Sequence, residues 1–260
     1  GMVEAPILVR PYVEKMTESE LFCLMSAGMA TIAGSVMAAY IGILQPYFPQ
    51  VAGHILSASL MSAPAAVVVA KIMIPETETP LTAGTVQVSY EKQDVNFIDA
   101  AARGAIDGVH LAIYVAAMLI AFIALVAMVN AVFGLFGTSF EAIMGWMFAP
   151  IAFLMGIPWK EAVQVGSLLG QKTVLNEFVA YLNLANGLAS GDLALSARSI
   201  TIATYALCGF ANFGSLGIMI AGIGGMAPSR RHDLARLGFL SIISGSLAAF
   251  LTATIAGVLV

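Results

Sequence analysis

The chain has 260 residues, 60% of them hydrophobic and 10% charged, with a formal net charge of −4 and a mean hydropathy of +0.93. A soluble domain carries roughly 25% charged residues, so this composition describes an integral membrane protein and not a soluble enzyme or binding module. Long apolar runs without two-residue alternation make it helical rather than a barrel, and scattered basic residues leave no footprint for nucleic acid.

Residues 1–19 are mixed and charged, with Glu4, Arg10, Glu14, Lys15 and Glu18. Arg10 and Lys15 read as solvated charges flanking the membrane. A first apolar segment covers residues 20–44, and its centre reads Gly28-Met29-Ala30-Thr31-Ile32-Ala33-Gly34-Ser35. Small and hydroxyl residues in mid-span permit close helix packing or a break. Residues 45–53 form an uncharged loop with Pro46 and Pro49, and residues 54–74 a second span ending at Lys71 and Pro75. The stretch 75–103 is polar and lies outside the hydrocarbon, its later part (96–107) beginning an amphipathic surface helix. Residues 109–136, without charge or proline, exceed the roughly 20 residues that cross a bilayer and read as a scaffold helix. Residues 140–155 are apolar and aromatic but short, which suits a helix at the membrane surface.

The next stretch, 170–181, reads GQKTVLNEFVAY and sets Asn176 and Glu177 among apolar neighbours. A carboxylate at membrane depth costs a few kcal/mol on insertion scales and marks a pathway, an ion or a partner. With Gly170, Gln171 and Thr173 before it and Asn183, Asn186 and Gly187 after it, the span is interrupted. Interrupted spans survive where they line a cavity or are buried in protein, so residues 159–187 suit a re-entrant hairpin. The competing reading of Glu177 is a carboxylate paired in a bundle core. Residues 195–223 give another span broken at 209–215, the loop 227–236 carries Arg230, Arg231 and Arg236, and 237–260 is a last span. Cys23 and Cys208 read as small buried hydrophobes, and His54, His110 and His232 have no ligand spacing. Without a nucleophile or metal constellation beside Glu4 and Glu177, an enzyme is the weaker reading and no cofactor is expected.

One order of elements occurs twice: a glutamate motif, a broken span, a loop and a further span. Glu4 starts the first copy and Glu177 the second. A shift of 181 positions lays Gly28-Met29-Ala30-Thr31 over Gly209-Phe210-Ala211-Asn212. The loop of the first copy has no charge and that of the second has three arginines. The positive-inside rule therefore puts the two loops on opposite sides. Inverted repeats with broken helices point to a secondary transporter.

Glu4-Ala5-Pro6 with Leu8-Val9-Arg10-Pro11-Tyr12, then Met16-Thr17 and Glu20-Leu21-Phe22, resemble the concentrative nucleoside transporters. So do Ser59-Leu60-Met61-Ser62-Ala63-Pro64-Ala65-Ala66, Asn176-Glu177-Phe178 and Asn212-Phe213-Gly214-Ser215. The resemblance runs along the whole chain and implies the C-terminal portion of a family member, with half of the first hairpin upstream. It implies a sodium-dependent nucleoside symporter, with proton coupling as the alternative. It further implies a multi-pass homotrimer in the plasma membrane (a bacterial inner membrane) working by an elevator movement. On this resemblance the regions are residues 1–74 (first repeat), 75–107 (cytoplasmic polar segment), 108–136 (scaffold span), 137–158 (interfacial helix) and 159–260 (second repeat). Glu4, Val36, Glu177, Phe210, Asn212 and Ser215 would bind the nucleoside, Glu177 on its ribose side. Thr31 and Ile32 would supply sodium oxygens, a hydroxyl and a carbonyl. Met2 and Val3 stand where the family carries a glutamine and a hydroxyl residue that contact the base, which leaves base preference open.

Overall fold

A computed structural model describes residue 2 and residues 4–80, 83–84 and 95–260. Side chains are described for these except at residues 4, 107, 108, 110–112, 114–116, 118, 119, 122 and 123. Every regular element among the described residues is helical.

Two short turns, α1 (Glu4–Ile7) and α2 (Arg10–Val13), lead to α3 (Glu18–Ala30). Thr17 opens α3 with a reciprocal cap: its hydroxyl accepts from the Glu20 N–H at 3.1 Å, and the Glu20 carboxylate accepts from the Thr17 N–H at 3.0 Å. The helix stops at Ala30, where Thr31 (ψ 166°) and Ala33 (ψ 145°) are extended. It resumes as α4 (Gly34–Leu44), so the small-residue centre of the first span is a break. The second span, α5 (Val51–Met73), starts three residues before the expected residue 54, because Gly53 is tolerated in its first turn.

The surface helix and scaffold span expected at 96–107 and 109–136 are one helix, α6 (Phe97–Gly134). Asn96 caps it by accepting from the Ile98 and Asp99 N–H groups, both at 3.0 Å. Gly108 alone does not interrupt it. Gln87–Phe140 is one compact unit, and Gly1–Val86 with Glu141–Val260 is the other.

In the larger unit, α7 (Phe140–Leu154) meets α8 (Trp159–Val174) at a bend of 117°. The bend contains Gly156 at φ 97°, backbone that favours glycine. Helix α8 then doubles back into α9 (Glu177–Ser190), and the two pack side by side as a hairpin with Leu175 and Asn176 at its tip. A second broken span follows: α10 (Ala197–Leu207), a non-helical stretch, and α11 (Phe213–Met226). The last helix, α12 (Arg231–Leu259), packs on α3, α5 and α10. Its glycines allow that approach, since a Cβ on Gly245 would stand 2.5 Å from Met29 Cβ. Glu18–Leu44, Val51–Met73 and Pro228–Leu259 are long and apolar enough to cross a membrane.

Polar contacts gather at the two ends of this bundle. At one end Arg230 donates to the carbonyls of Val13 (3.1 Å) and Met16 (2.6 Å), closing the frayed turn before α3. Arg236 there pairs with Glu18 at 2.7 Å. Lys71 donates to Ser19 Oγ at 2.8 Å beside it, and Thr17 donates to Glu76 at 2.8 Å. At the other end the Ser196 N–H donates to Glu161 at 3.0 Å, and Arg198 donates to the Gly156 carbonyl and, at 2.9 Å, to that of Gly257. Between these ends the buried side chains are mainly apolar, with scattered serines and threonines such as Ser62, Ser241 and Thr252, and the buried carboxylate Glu177 lies where the second break meets the hairpin tip.

Candidate functional site

Glu177 is the first residue of α9, and Asn176 caps that helix by accepting from the Val179 N–H at 2.9 Å. The carboxylate thus sits at a helix N-terminus, where the partial positive charge of the backbone favours an anion. Two side chains from other elements hold it. Tyr40 of α4 donates its hydroxyl to Oε1 at 2.7 Å, and Asn212 donates Nδ2 to Oε2 at 2.9 Å. Glu177 is 5% exposed and Asn212 1%.

Asn212 does two jobs. Its Oδ1 accepts from the Ser215 N–H at 2.8 Å, capping α11, while its amide nitrogen reaches Glu177. The amide is therefore oriented by its own backbone before it meets the carboxylate. Tyr40 is steadied by stacking on Tyr181, with ring centroids 4.5 Å apart, and Tyr181 donates its hydroxyl to the Thr204 carbonyl at 2.7 Å. Lys172 of α8 donates to the Ala206 carbonyl at 2.8 Å and is 1% exposed.

The two breaks lie against each other. A Cβ on Gly209 would stand 2.8 Å from the Ala30 carbonyl oxygen and 3.1 Å from that of Met29. These are the segments that the 181-residue shift superimposes. Thr31, at the first break, donates its hydroxyl to the Ala27 carbonyl at 2.8 Å. That bond leaves the hydroxyl's lone pairs able to meet a cation. Ile32 is buried beside it, and Val36 is half-buried one turn further along α4.

The structure thus joins Glu177, Asn212 and Ser215 directly. It places Phe210, 8% exposed, in the apolar core at the second break. The Glu4 side chain lies outside the described residues, as does Val3. Met2 is buried and close to Gly28, whose added Cβ would stand 3.3 Å from Met2 Cβ. Sequence reasoning passed over Tyr40, Tyr181 and Lys172. Lys172 carried a signal, being a cation in an apolar span five residues before Glu177. Tyr40 carried none, since 137 residues separate it from Glu177.

A buried carboxylate held where a hairpin tip meets two broken helices is how a secondary transporter keeps a polar solute inside a bilayer. The chain has the apolar spans and broken helices of a membrane protein. Residues 54–257 match the model described as "Na+ dependent nucleoside transporter C-terminus", and the chain belongs to that family. It is 45% identical over its whole length to an uncharacterized transporter, YutK, of Bacillus subtilis, covering 64% of that protein. It is also 45% identical to solute carrier family 28 member 3 of Mus musculus, covering 39% of it. Among solved structures, CNTnw in an inward-facing substrate-bound state superimposes on 99% of the chain with a TM-score of 0.89 and 45% identity. The chain covers 61% of CNTnw, and so spans less than two thirds of the length of each of these relatives.

Proposed function

We propose that the intact protein carries nucleosides across the membrane in symport with sodium. The observation that carries this is the Glu177 carboxylate bridged between Tyr40 and Asn212. A ribose presents neighbouring hydroxyls, which can donate to a carboxylate and accept from an amide at once. Glu177, with Asn212 and Ser215 on the facing helix end, offers that complement. On this reading Glu4 contacts the nucleoside from the first hairpin, and Val36 and Phe210 flank the base.

Sodium is cargo on this reading, held by the Thr31 hydroxyl and the Ile32 carbonyl. Hard cations take oxygen ligands, and a broken helix exposes them. The extended backbone at Thr31 supports this role. The same reading makes the two halves inverted repeats in a homotrimer of a bacterial plasma membrane, alternating access by an elevator movement. The shared order of elements and the contact between the two breaks support the repeat.

The test is uptake of labelled uridine and adenosine by the intact protein in proteoliposomes. A sodium gradient is expected to drive accumulation above the external concentration. Accumulation driven by a proton gradient alone would overturn sodium coupling, and no uptake of either nucleoside would overturn the substrate class.

A further inference from the structure

Lys172 contacts neither the proposed nucleoside ligands nor the proposed sodium ligands through a hydrogen bond among the described residues. Its ammonium is buried, donates to the Ala206 carbonyl at 2.8 Å, and has no carboxylate within ion-pair distance among the described residues. The Glu177 carboxylate acts on it through space without an ion-pair contact, and a buried cation so incompletely compensated is costly and in a membrane protein is retained for a task.

The acceptor explains what the cation does. Ala206 lies in the last turn of α10, where the final carbonyls have no helical partner and carry the negative end of the dipole. Three of the last four carbonyls have identified partners. The Thr204 carbonyl accepts from Tyr181 of α9, that of Tyr205 accepts from the Cys208 N–H at 3.0 Å, and that of Ala206 accepts from Lys172 of α8. Both arms of the hairpin are therefore fastened to the end of α10. The first break is built differently: the Ala27 carbonyl at the end of α3 takes both the N–H (3.2 Å) and the hydroxyl (2.8 Å) of Thr31. It receives no cation from a neighbouring element among the described residues. The second break thus has a resident cation fixed at Ala206, six residues before the Asn212 that meets Glu177.

Resting on the nucleoside reading, we infer that Lys172 is a positioning residue whose ammonium, fixed on the end of α10, holds the second break in register with the hairpin tip so that Asn212 and Glu177 receive the substrate together. Its charge suits the helix end better than a neutral donor would. Loss of the ammonium frees the stretch 208–212, and the damage falls on nucleoside recognition rather than on the sodium ligands of the first break.

The experiment uses the intact protein with Lys172→Met and Lys172→Gln, beside wild type and Glu177→Gln. Two readouts are taken: uridine uptake, and amide hydrogen exchange along the chain. Lys172→Met is expected to raise the uridine KM at least tenfold. At saturating uridine, the sodium half-saturation should move less than threefold. Exchange protection should fall at residues 207–212 while α5 and α12 keep theirs. Lys172→Gln, which can still donate to the carbonyl, should recover part of both effects, and it answers alone if the methionine variant does not fold. A uridine KM within twofold of wild type, or unchanged exchange at 207–212, overturns the inference. So does an equal loss of sodium and uridine affinity, which is what general loosening would give. If wild type takes up no uridine the nucleoside reading fails, and unchanged exchange would still overturn the role given to Lys172.

Discussion

Glu177→Gln is expected to lower uridine uptake efficiency (kcat/KM) at least about 100-fold, which corresponds to roughly 2.7 kcal/mol of lost stabilisation. The carboxylate accepts from Tyr40 on one oxygen and from Asn212 on the other. Glutamine keeps the size but turns one acceptor into a donor. Its amide nitrogen then faces either the Asn212 amide, donor against donor, or the Tyr40 hydroxyl, which must turn its proton away from the site to accept. Asn212 cannot flip to relieve this, because its Oδ1 is already committed to the Ser215 N–H. Hydrogen bonds to charged groups contribute about 1.5–3 kcal/mol each, so losing the bridge to a substrate hydroxyl accounts for the whole effect. Uptake measured beside the thermal unfolding of the same preparation checks it. A variant that unfolds like wild type yet transports within tenfold of it would remove Glu177 from the site.

Gly209→Ala is expected to have the second large effect, on folding. Gly209 has φ 151°, where side chains are rarely accepted, and its added Cβ would stand 2.8 Å from the Ala30 carbonyl oxygen. Backbone strain of about 1–3 kcal/mol adds to an overlap of about 1–3 kcal/mol that a backbone carbonyl cannot relieve by rotating away. The two breaks would have to separate. A fall of roughly 3–5 kcal/mol is exceptional for one methyl group, and should appear as a large drop in melting temperature and in the yield of monodisperse protein. Gly34, where an added Cβ meets nothing within 4 Å, is the matched control and should tolerate alanine far better. Equal behaviour of the two variants would contradict the contact between the breaks.

Much of this arrangement is legible in the sequence because it is written in local chemistry. The long apolar runs show the spans, and Gly28–Ser35 and Gly209–Ser215 show where they break, since small and polar residues there cannot sustain a lipid-facing helix. Asn176 and Asn212 stand out in the sequence as polar residues in apolar runs, and the structure makes each the cap of a helix at the centre of the bundle. Long-range partners leave no such trace. Tyr40 reads as one more aromatic in an apolar helix until the fold brings it to Glu177. Arg230 reads as a loop charge that reports topology, yet the fold spends it on the carbonyls of Val13 and Met16, more than 200 positions away. The fusion of the surface helix with the scaffold span was hidden for a different reason. A change from polar to apolar residues at Asp107 to Val109 is not the end of a helix.

The measurement that goes most directly to the proposed function is equilibrium binding of uridine and adenosine to the purified intact protein, once in sodium and once in potassium. Binding of at least one nucleoside in sodium, weakened at least tenfold when potassium replaces it, is the expected result. Binding of equal strength in both salts would contradict sodium coupling, and binding in neither would contradict the nucleoside site at Glu177.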